Sequence, residues 1–492
     1  MTRVVFANWG WQHAARNHPT IQGFNLTLEP GERVAILGPS GAGKSTILQG
    51  LAGVLGGGED GTELGSLTLN GVSRGEVLGA VGLVLQDPEA QVMLARVGDD
   101  VAFGAENLGV ERNEIWSRVA QALDAVGLDV GLAHNTSHLS GGQQQRMALA
   151  GVLAMRPGVL ALDEPTANLD PVGAKALVQA IEHHLSTHNT SLVLVDHNIA
   201  QWVPLLTQVI VLDTKGNVVA HGQPDEVFRD HRPALSESGV WIPGDPAPAK
   251  RGIGQAHVIE ESAHLSPSHS PARPVLLEAR DVQVGYPENA VVSGVSFGIR
   301  AGQVTAITGP NGVGKTTLAL ALAGLLPVLG GQVVASDELC EGLETPNPLE
   351  WKSAELAVRI SMVFQQPEYQ FVARTVRDEL RTGPRAHSAP DPDAVLEQLG
   401  IAALANAHPM SLSGGEKRRL SVATAIVTGA PVVILDEPTF GQDAKSWLGL
   451  VDLIEATAQA GRAVVTITHD QYLVNALAAT EIHLDATGYV VR

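Results

Sequence analysis

Residues 33–53 read RVAILGPSGAGKSTILQGLAG. A short apolar run, RVAIL, breaks at Gly38, passes through a glycine-rich turn and resumes as a helix-compatible segment from Lys44. The spacing GxxxxGK[ST] after a strand describes a loop whose glycines let backbone N–H groups face phosphate oxygens, with the positive end of the next helix adding to the attraction. On that reading Gly38, Ser40, Gly41 and Gly43 form the cradle, with Thr46 just inside the helix. Lys44 reaches the β- and γ-phosphates, and Ser45 is a magnesium ligand.

The loop is written twice. GPNGVGKTT begins at Gly309 and supplies Asn311, Gly312, Gly314, Lys315, Thr316 and Thr317 in the same roles, Thr316 toward the metal. Lys44 and Lys315 lie 271 positions apart, Ser140 and Ser413 273, Glu164 and Glu437 273, and His197 and His469 272. A near-constant offset over four motifs means that a whole domain is duplicated. GVLALDEPT and SLVLVDHN in the first copy match VVILDEPT and AVVTITHD in the second. Apolar strands alternating with helical segments imply a mostly parallel sheet in each copy, with ligands at the strand C-terminal ends.

At 492 residues the chain is too long for one core. Its 44% hydrophobic and 17% charged residues are those of a globular protein, not a disordered one. No apolar run is long enough to span a bilayer. The opening MTRVVFANWGW lacks the pattern of a secretory signal, so none is expected. Cys340 is the single cysteine, which rules out an intrachain disulfide and fits a reducing cytoplasm. A formal charge of −20 argues against nucleic acid as a partner. The Pro-, Ser- and His-rich stretch at 232–274 reads as a linker between domains at 1–231 and 275–492. As a flexible coil it would span roughly 35 Å, enough for the halves to face each other in opposite orientations.

The strand ends carry the remaining chemistry. Asp163 and Asp436 close apolar strands, where a carboxylate can join a magnesium shell. Glu164 and Glu437 are candidates to orient or deprotonate an attacking water. One DE alone would be read as a solvated loop; LDEPT following a phosphate loop in both halves reverses that. His197 and His469 each follow a β-rich run and carry an acidic neighbour. Gln86 and Gln365, in LVLQDPEAQ and MVFQQPEYQF, offer neutral side chains that can contact magnesium or water.

Phosphate loop, glutamine, LSGGQ, LDEP, TANLD and histidine, in that order, resemble the ATP-binding cassette ATPases, over all of the chain except the linker. The resemblance implies an α/β fold: two P-loop NTPase domains in tandem, each a mostly parallel sheet with an antiparallel and a helical subdomain, using ATP and Mg2+. In that family two cassettes pair head to tail, each ATP lying between one phosphate loop and the other cassette's signature. Ser140, Gly141 and Gly142 of LSGGQQQR would then serve the nucleotide on Lys315. Ser413, Gly414 and Gly415 of LSGGEKRR would serve the one on Lys44. The family also implies adenine stacking on Tyr286 and Trp11, and communication across the interface by Asp170 and Asp443. Glu164, His197, Glu437 and His469 would be catalytic, and with none of them lost both sites are expected to hydrolyse ATP.

QDPEAQ and QQPEYQ, followed by VGDDVAFGAENLGV from Val97 and TVRDELRTGP from Thr375, further resemble the ATPase components of energy-coupling-factor importers for vitamins or transition-metal ions. That likeness implies a membrane T component and a substrate-binding S component as partners. Coupling helices would dock near Gln86 and Gln365, and the chain would sit peripherally on the cytoplasmic face of the membrane. Two alternatives stay open: a soluble tandem ATPase acting on ribosomes, and the fused ATPase of a peptide or sugar importer. The ribosomal class is expected to carry basic tails or a charged helical arm, unlike this acidic chain.

Overall fold

Alternation along RVAIL sends Val34 and Ile36 to one side of a strand and Ala35 and Leu37 to the other, and all four are buried. VLALD at 159–163 behaves alike: Val159 and Ala161 join the first pair, Leu160 and Leu162 the second. Only a sheet covered on both faces allows this. In the computed structural model, which describes residues 2–14, 18–56, 60–167, 169–245, 273–286, 289–383, 385, 389–477, 479–485 and 488–491, such a sheet organises each half.

The first unit, Met1–Asp245, contains β1 (Val4–His13), β2 (Ile21–Leu28), β3 (Arg33–Leu37), α1 (Lys44–Ala52), β4 (Gly61–Leu69), β5 (Val72–Ser73), β6 (Val81–Val84), α2 (Val97–Asn107), α3 (Arg112–Ala125), α4 (Gly141–Met155), β7 (Val159–Asp163), α5 (Pro171–His188), β8 (Ser191–Val195), β9 (Gln208–Leu212), β10 (Val218–Gly222), α6 (Pro224–Asp230) and α7 (Arg232–Glu237). Its main sheet runs β10-β9-β3-β8-β7-β6, parallel except for β10, and a separate antiparallel sheet runs β2-β1-β4-β5. One core lies between the main sheet, α1 and the antiparallel sheet, around Trp9, Ile47 and Leu51. The other lies between the main sheet and α2–α5, around Leu160, Leu162, Leu177 and Ile181, and burying each such leucine contributes about 2 kcal/mol.

The second unit, Pro246–Arg492, contains β11 (Val275–Tyr286), β12 (Asn289–Arg300), β13 (Val304–Thr308), α8 (Lys315–Leu322), β14 (Gly330–Ala335), α9 (Ser353–Ala357), β15 (Ile360–Val363), α10 (Val376–Glu379), α11 (Pro392–Gln398), α12 (Gly414–Val427), β16 (Val432–Asp436), α13 (Ala444–Gln459), β17 (Ala463–Ile467), α14 (Gln471–Ala476), β18 (Thr480–Asp485) and β19 (Gly488–Val491). Its main sheet is β15-β16-β17-β13-β18-β19 and its antiparallel sheet β12-β11-β14. The expected α/β architecture is borne out in both units. Because β6, β7, β8 and β3 run parallel, their C-terminal ends share one edge, and the same holds for β15, β16, β17 and β13.

The linker start at 232 needs correction. Arg232–Glu237 is a helix with Pro233 in its first turn, and Leu235 and Val240 are buried in the first unit's core. Two apolar anchors in a Pro/Ser-rich context suffice to hold this stretch. Residues 246–272 of the expected linker lie outside the described residues.

Candidate active site

Glycine is required at 43 and 314 by the backbone. φ is 89° and 96° at these N-caps, and a Cβ would come within 2.6 Å of Ile21 or Val292. The chain then enters α1 and α8 at Lys44 and Lys315, both buried. Lys44 Nζ donates to the carbonyls of Gly38 and Pro39 at 2.8 and 2.9 Å. Lys315 Nζ donates to those of Gly309 and Pro310, both at 2.9 Å. Ser40, Gly41 and Thr46 belong to the same turn and first helical turn, as do Asn311, Gly312 and Thr317 in the second unit.

The helix openings meet the strand ends. The Ser45 hydroxyl hydrogen-bonds Asp163, and Thr316 Oγ1 donates to Asp436 Oδ2 at 2.8 Å across 120 residues of sequence. Asp163 is 4% exposed. Its burial, with Glu164 alongside, pushes the carboxyl up to about 7 against the pull of Ser45, Lys44 and His197. Burial and Glu437 push Asp436 up to about 6, opposed by Thr316, Arg418 and Lys315. A hydroxyl bonded to a buried carboxylate is a hard-oxygen pair that fits Mg2+. Among the described residues no cluster of three or more His, Cys, Asp or Glu would hold a metal unaided. Phosphate oxygens and water would therefore complete the shell.

Glu164 and Glu437 occupy the left-handed region, φ 48° and 49°, at a cost on the order of 1 kcal/mol for a side chain other than glycine. The turn is pinned by Glu164 N donating to Val195 O at 2.7 Å and Glu437 N to Ile467 O at 2.9 Å. It aims each carboxylate at the neighbouring strand end. Glu164 Oε1 lies 3.2 Å from His197 Nε2, and Glu164 Oε2 accepts from Gln86 Nε2 at 2.9 Å. Burial pushes Glu164 up, but His197, Lys44 and Gln86 together more than offset it, holding the carboxyl below its ordinary range. In the second unit Glu437 Oε1 lies 3.0 Å from His469 Nδ1. Burial opposes protonation of that ring, yet the charge and hydrogen bond of Glu437, with Asp470, raise it above the usual imidazole value. No bond joins Gln365 to Glu437 among the described residues; the Gln365 carbonyl accepts from Arg418 instead.

Ser140 and Ser413 are exposed N-caps of α4 and α12, with Gly141–Gly142 and Gly414–Gly415 as the first helical residues. Ser140 N donates to Gln143 Oε1 at 2.9 Å and Ser413 N to Glu416 Oε2 at 2.8 Å. The Gln/Glu difference between the octapeptides thus falls where either side chain closes a capping box. No hydrogen bond among the described residues joins Ser140 or Ser413 to the phosphate loop of its own unit. Asp170 and Asp443 cap α5 and α13, accepting from Gly173 N at 2.7 Å and Ser446 N at 2.8 Å.

The ABC transporter family model matches residues 21–167 and 292–440, together more than half of the chain. The chain belongs to the ABC transporter family. A Bacillus subtilis (strain 168) protein provisionally named HMP/thiamine import ATP-binding protein YkoD is 34% identical to this ABC ATPase over 96% of its length and 87% of the relative's. A protein of Streptococcus mutans serotype c, provisionally named an ABC transporter ATP-binding protein, is 31% identical over 96% and 87%. Among solved structures, the archaeal ribosome recycling factor aABCE1, in complex with ribosomal stalk protein aP1, shares 20% identity with a TM-score of 0.61, covering 94% of this chain and 84% of that one, a likeness of fold alone. As a member of this family the ABC ATPase binds and hydrolyses ATP.

One expected site residue of the ABC ATPase is corrected. Trp11 is 4% exposed, in the core with Trp9 and Ile21. Trp9 and Trp11 stand two apart on β1 and share its inner face, so Trp11 presents no open ring to a base. Tyr286 ends β11, and its side chain lies outside the described residues.

Sequence reading passed over a threonine–aspartate–tryptophan set in each unit, buried in the first and with its aspartate only half-buried in the second. Thr166 Oγ1 and Trp202 Nε1 donate to Asp196 Oδ2 at 2.7 and 3.0 Å. Thr439 Oγ1 and Trp447 Nε1 donate to Asp470 Oδ2 at 2.9 and 2.7 Å. The aspartate precedes His197 in one unit and follows His469 in the other. The repeated DEPT threonine was the available signal.

Proposed function

We propose that this ABC ATPase is the energy-coupling subunit of an energy-coupling-factor-type importer for a vitamin or transition-metal ion, working from two composite ATP sites between head-to-tail units. The observation that carries the reading is the 34% identity, along 96% of the chain, to a relative whose name specifies HMP/thiamine import. Exposed apolar side chains near both glutamines also support it: Met93 and Leu94 after Gln86, Tyr369 and Val372 after Gln365. These suit the coupling helices of a T component, with an S component carrying the cargo. Among the described residues no helix is long and apolar enough to cross a membrane. The partners would supply the path, and the chain would sit on the cytoplasmic face.

In this reading Lys44 exchanges its loop carbonyls for the β- and γ-phosphates, and Ser45, Asp163 and Gln86 would hold Mg2+, which neutralises phosphate charge. Glu164, ionised at neutral pH, orients the attacking water and accepts its proton, while His197 and Gln86 fix the carboxylate. Ser413, Gly414 and Gly415 bring a hydroxyl and helix-end amides to the γ-phosphate. Lys315, Thr316, Asp436, Gln365, Glu437 and His469 do the same with Ser140, Gly141 and Gly142. Asp170 and Asp443 relay between the sites.

The test is copurification in mild detergent. A hydrophobic membrane component is the expected partner; salt-sensitive association with ribosomes in its place would overturn the reading. For the composite sites, Ser140→Ala should impair nucleotide trapping at the site damaged by Lys315→Ala. Trapping lost instead at the Lys44 site would exclude head-to-tail pairing.

A further inference from the structure

At the seventh residue of the octapeptides a neutral side chain faces a charged one: Gln145 in the first, Arg418 in the second. Arg418 is 5% exposed, so its guanidinium must find partners inside the protein. Nη1 donates to the Phe364 carbonyl at 3.0 Å and to the Asp436 carbonyl at 3.3 Å, and Nη2 donates to the Gln365 carbonyl. The group also lies 5.7 Å from the centroid of the Phe440 ring. One rigid fork on α12 therefore collects carbonyls from the segment after β15 and from the end of β16. A lysine, with its point charge, would not span them as well. Ala167 in the first unit stands where the second has Phe440, so both halves of the cation–ring contact are particular to the second unit. The first unit uses the side-chain bond from Gln86 to Glu164.

We infer that Arg418 is a positioning residue. It fixes the backbone of Gln365 and of Asp436 to the signature helix, so that the second unit's metal-side groups are preset, whereas the first unit's glutamine is set through its side chain. The two ATP sites are then built to respond differently when a partner displaces the glutamine segment. The inference rests on the ATPase reading of Gln365 and Asp436.

The experiment uses the full chain and the double variant Arg418→Gln/Phe440→Ala, which installs the pair around which the first unit already folds, with Arg418→Lys as the conservative variant. Hydrogen exchange followed by mass spectrometry reads peptides covering 363–370 and, as internal reference, 84–91. In the double variant the 363–370 amides should exchange about tenfold faster with 84–91 unchanged, and Arg418→Lys should fall between. Mn2+ titrated in the presence of a non-hydrolysable ATP analogue and followed by electron paramagnetic resonance should show one of two sites weakened about tenfold, with metal-free nucleotide affinity moving less than about twofold. Unchanged exchange at 363–370, or equal Mn2+ shifts at both sites, overturns the inference. A parent chain that binds neither nucleotide nor Mn2+ would sink the ATPase reading instead, and the exchange comparison would still decide whether Arg418 ties the segment.

Discussion

The two units share strand ends and differ in what stands behind them. In the first, Glu164 is held from two sides, by His197 Nε2 and Gln86 Nε2. In the second, Glu437 faces the other ring nitrogen of its histidine, and the glutamine segment is held by a buried guanidinium. The aspartate that takes the threonine and tryptophan bonds has changed sides of the histidine and found a different indole. The segment after each glutamine differs more: α2 and α3 have 11 and 14 residues, α10 and α11 only 4 and 7. Duplication has kept the groups that would face phosphate while the supports and the surroundings of the glutamine diverged. Equal motifs therefore do not imply equal sites.

The largest effect expected is from the carboxylates. Glu164→Gln and Glu437→Gln should each slow turnover at their own site by about a hundredfold or more with ATP binding retained. Single-turnover measurements on both single variants sharpen the comparison, because unequal residual rates would show which unit sets the pace. A double variant that hydrolyses at the parent rate would remove the assigned role.

Next come the displaced aspartates. Trp202→Phe should cost about 1–2 kcal/mol in denaturant unfolding, because the buried Asp196 loses a donor, and Trp447→Phe should cost less, because Asp470 is only half-buried. Exchanging the flanking residues of the first histidine, Asp196→Thr with Asn198→Asp, should fail to recreate the second unit's arrangement, since Trp202 and Trp447 come from different elements. Full stability in that exchange variant would show that the supports are interchangeable.

The pH response is smaller and separates the units by window. Asp163 has its carboxyl pushed up to about 7 in the folded unit against 3.8 as the ordinary value, so between those values the native state binds a proton that the unfolded chain has released. Its contribution to stability is full below pH 3.8 and is lost as pH rises through about 7. For Asp436 the loss is complete by about 6. Calorimetry in chelator should show the first unit's transition falling over the wider window, and Asp163→Asn should flatten that fall. A parent transition that rises with pH relative to Asp163→Asn would contradict it.

The smallest effect is at the capping boxes. Glu416→Gln should keep the box and change stability by only a few tenths of a kcal/mol, as should Gln143→Glu in the opposite sense. A larger change in either would mean that the helix ends are not equivalent frames.

Loops and strand ends were legible because their information is local: a glycine pattern, an apolar run, a carboxylate at its close. What escaped depends on distant packing. Trp11 sits where the family resemblance puts a stacking ring, but the pairing of β1 with β2 and β4 turns it inward. Arg418 looks like one more surface cation of LSGGEKRR until Phe364 and Gln365, 54 and 53 residues earlier in the chain, are folded against it. Arg232–Glu237 has the composition of a tether and becomes a helix because Leu235 finds the core.

The left-handed backbone at Glu164 and Glu437 has an energetic reading. Glycine there would relax the turn and remove a charge crowding the adjacent aspartate. That relief would be set against the loss of the Gln86 and His197 bonds at Glu164 and of the His469 bond at Glu437, so backbone and side chain pull in opposite directions at both turns. In the proposed mechanism the strain at these two turns is carried for chemistry rather than for folding.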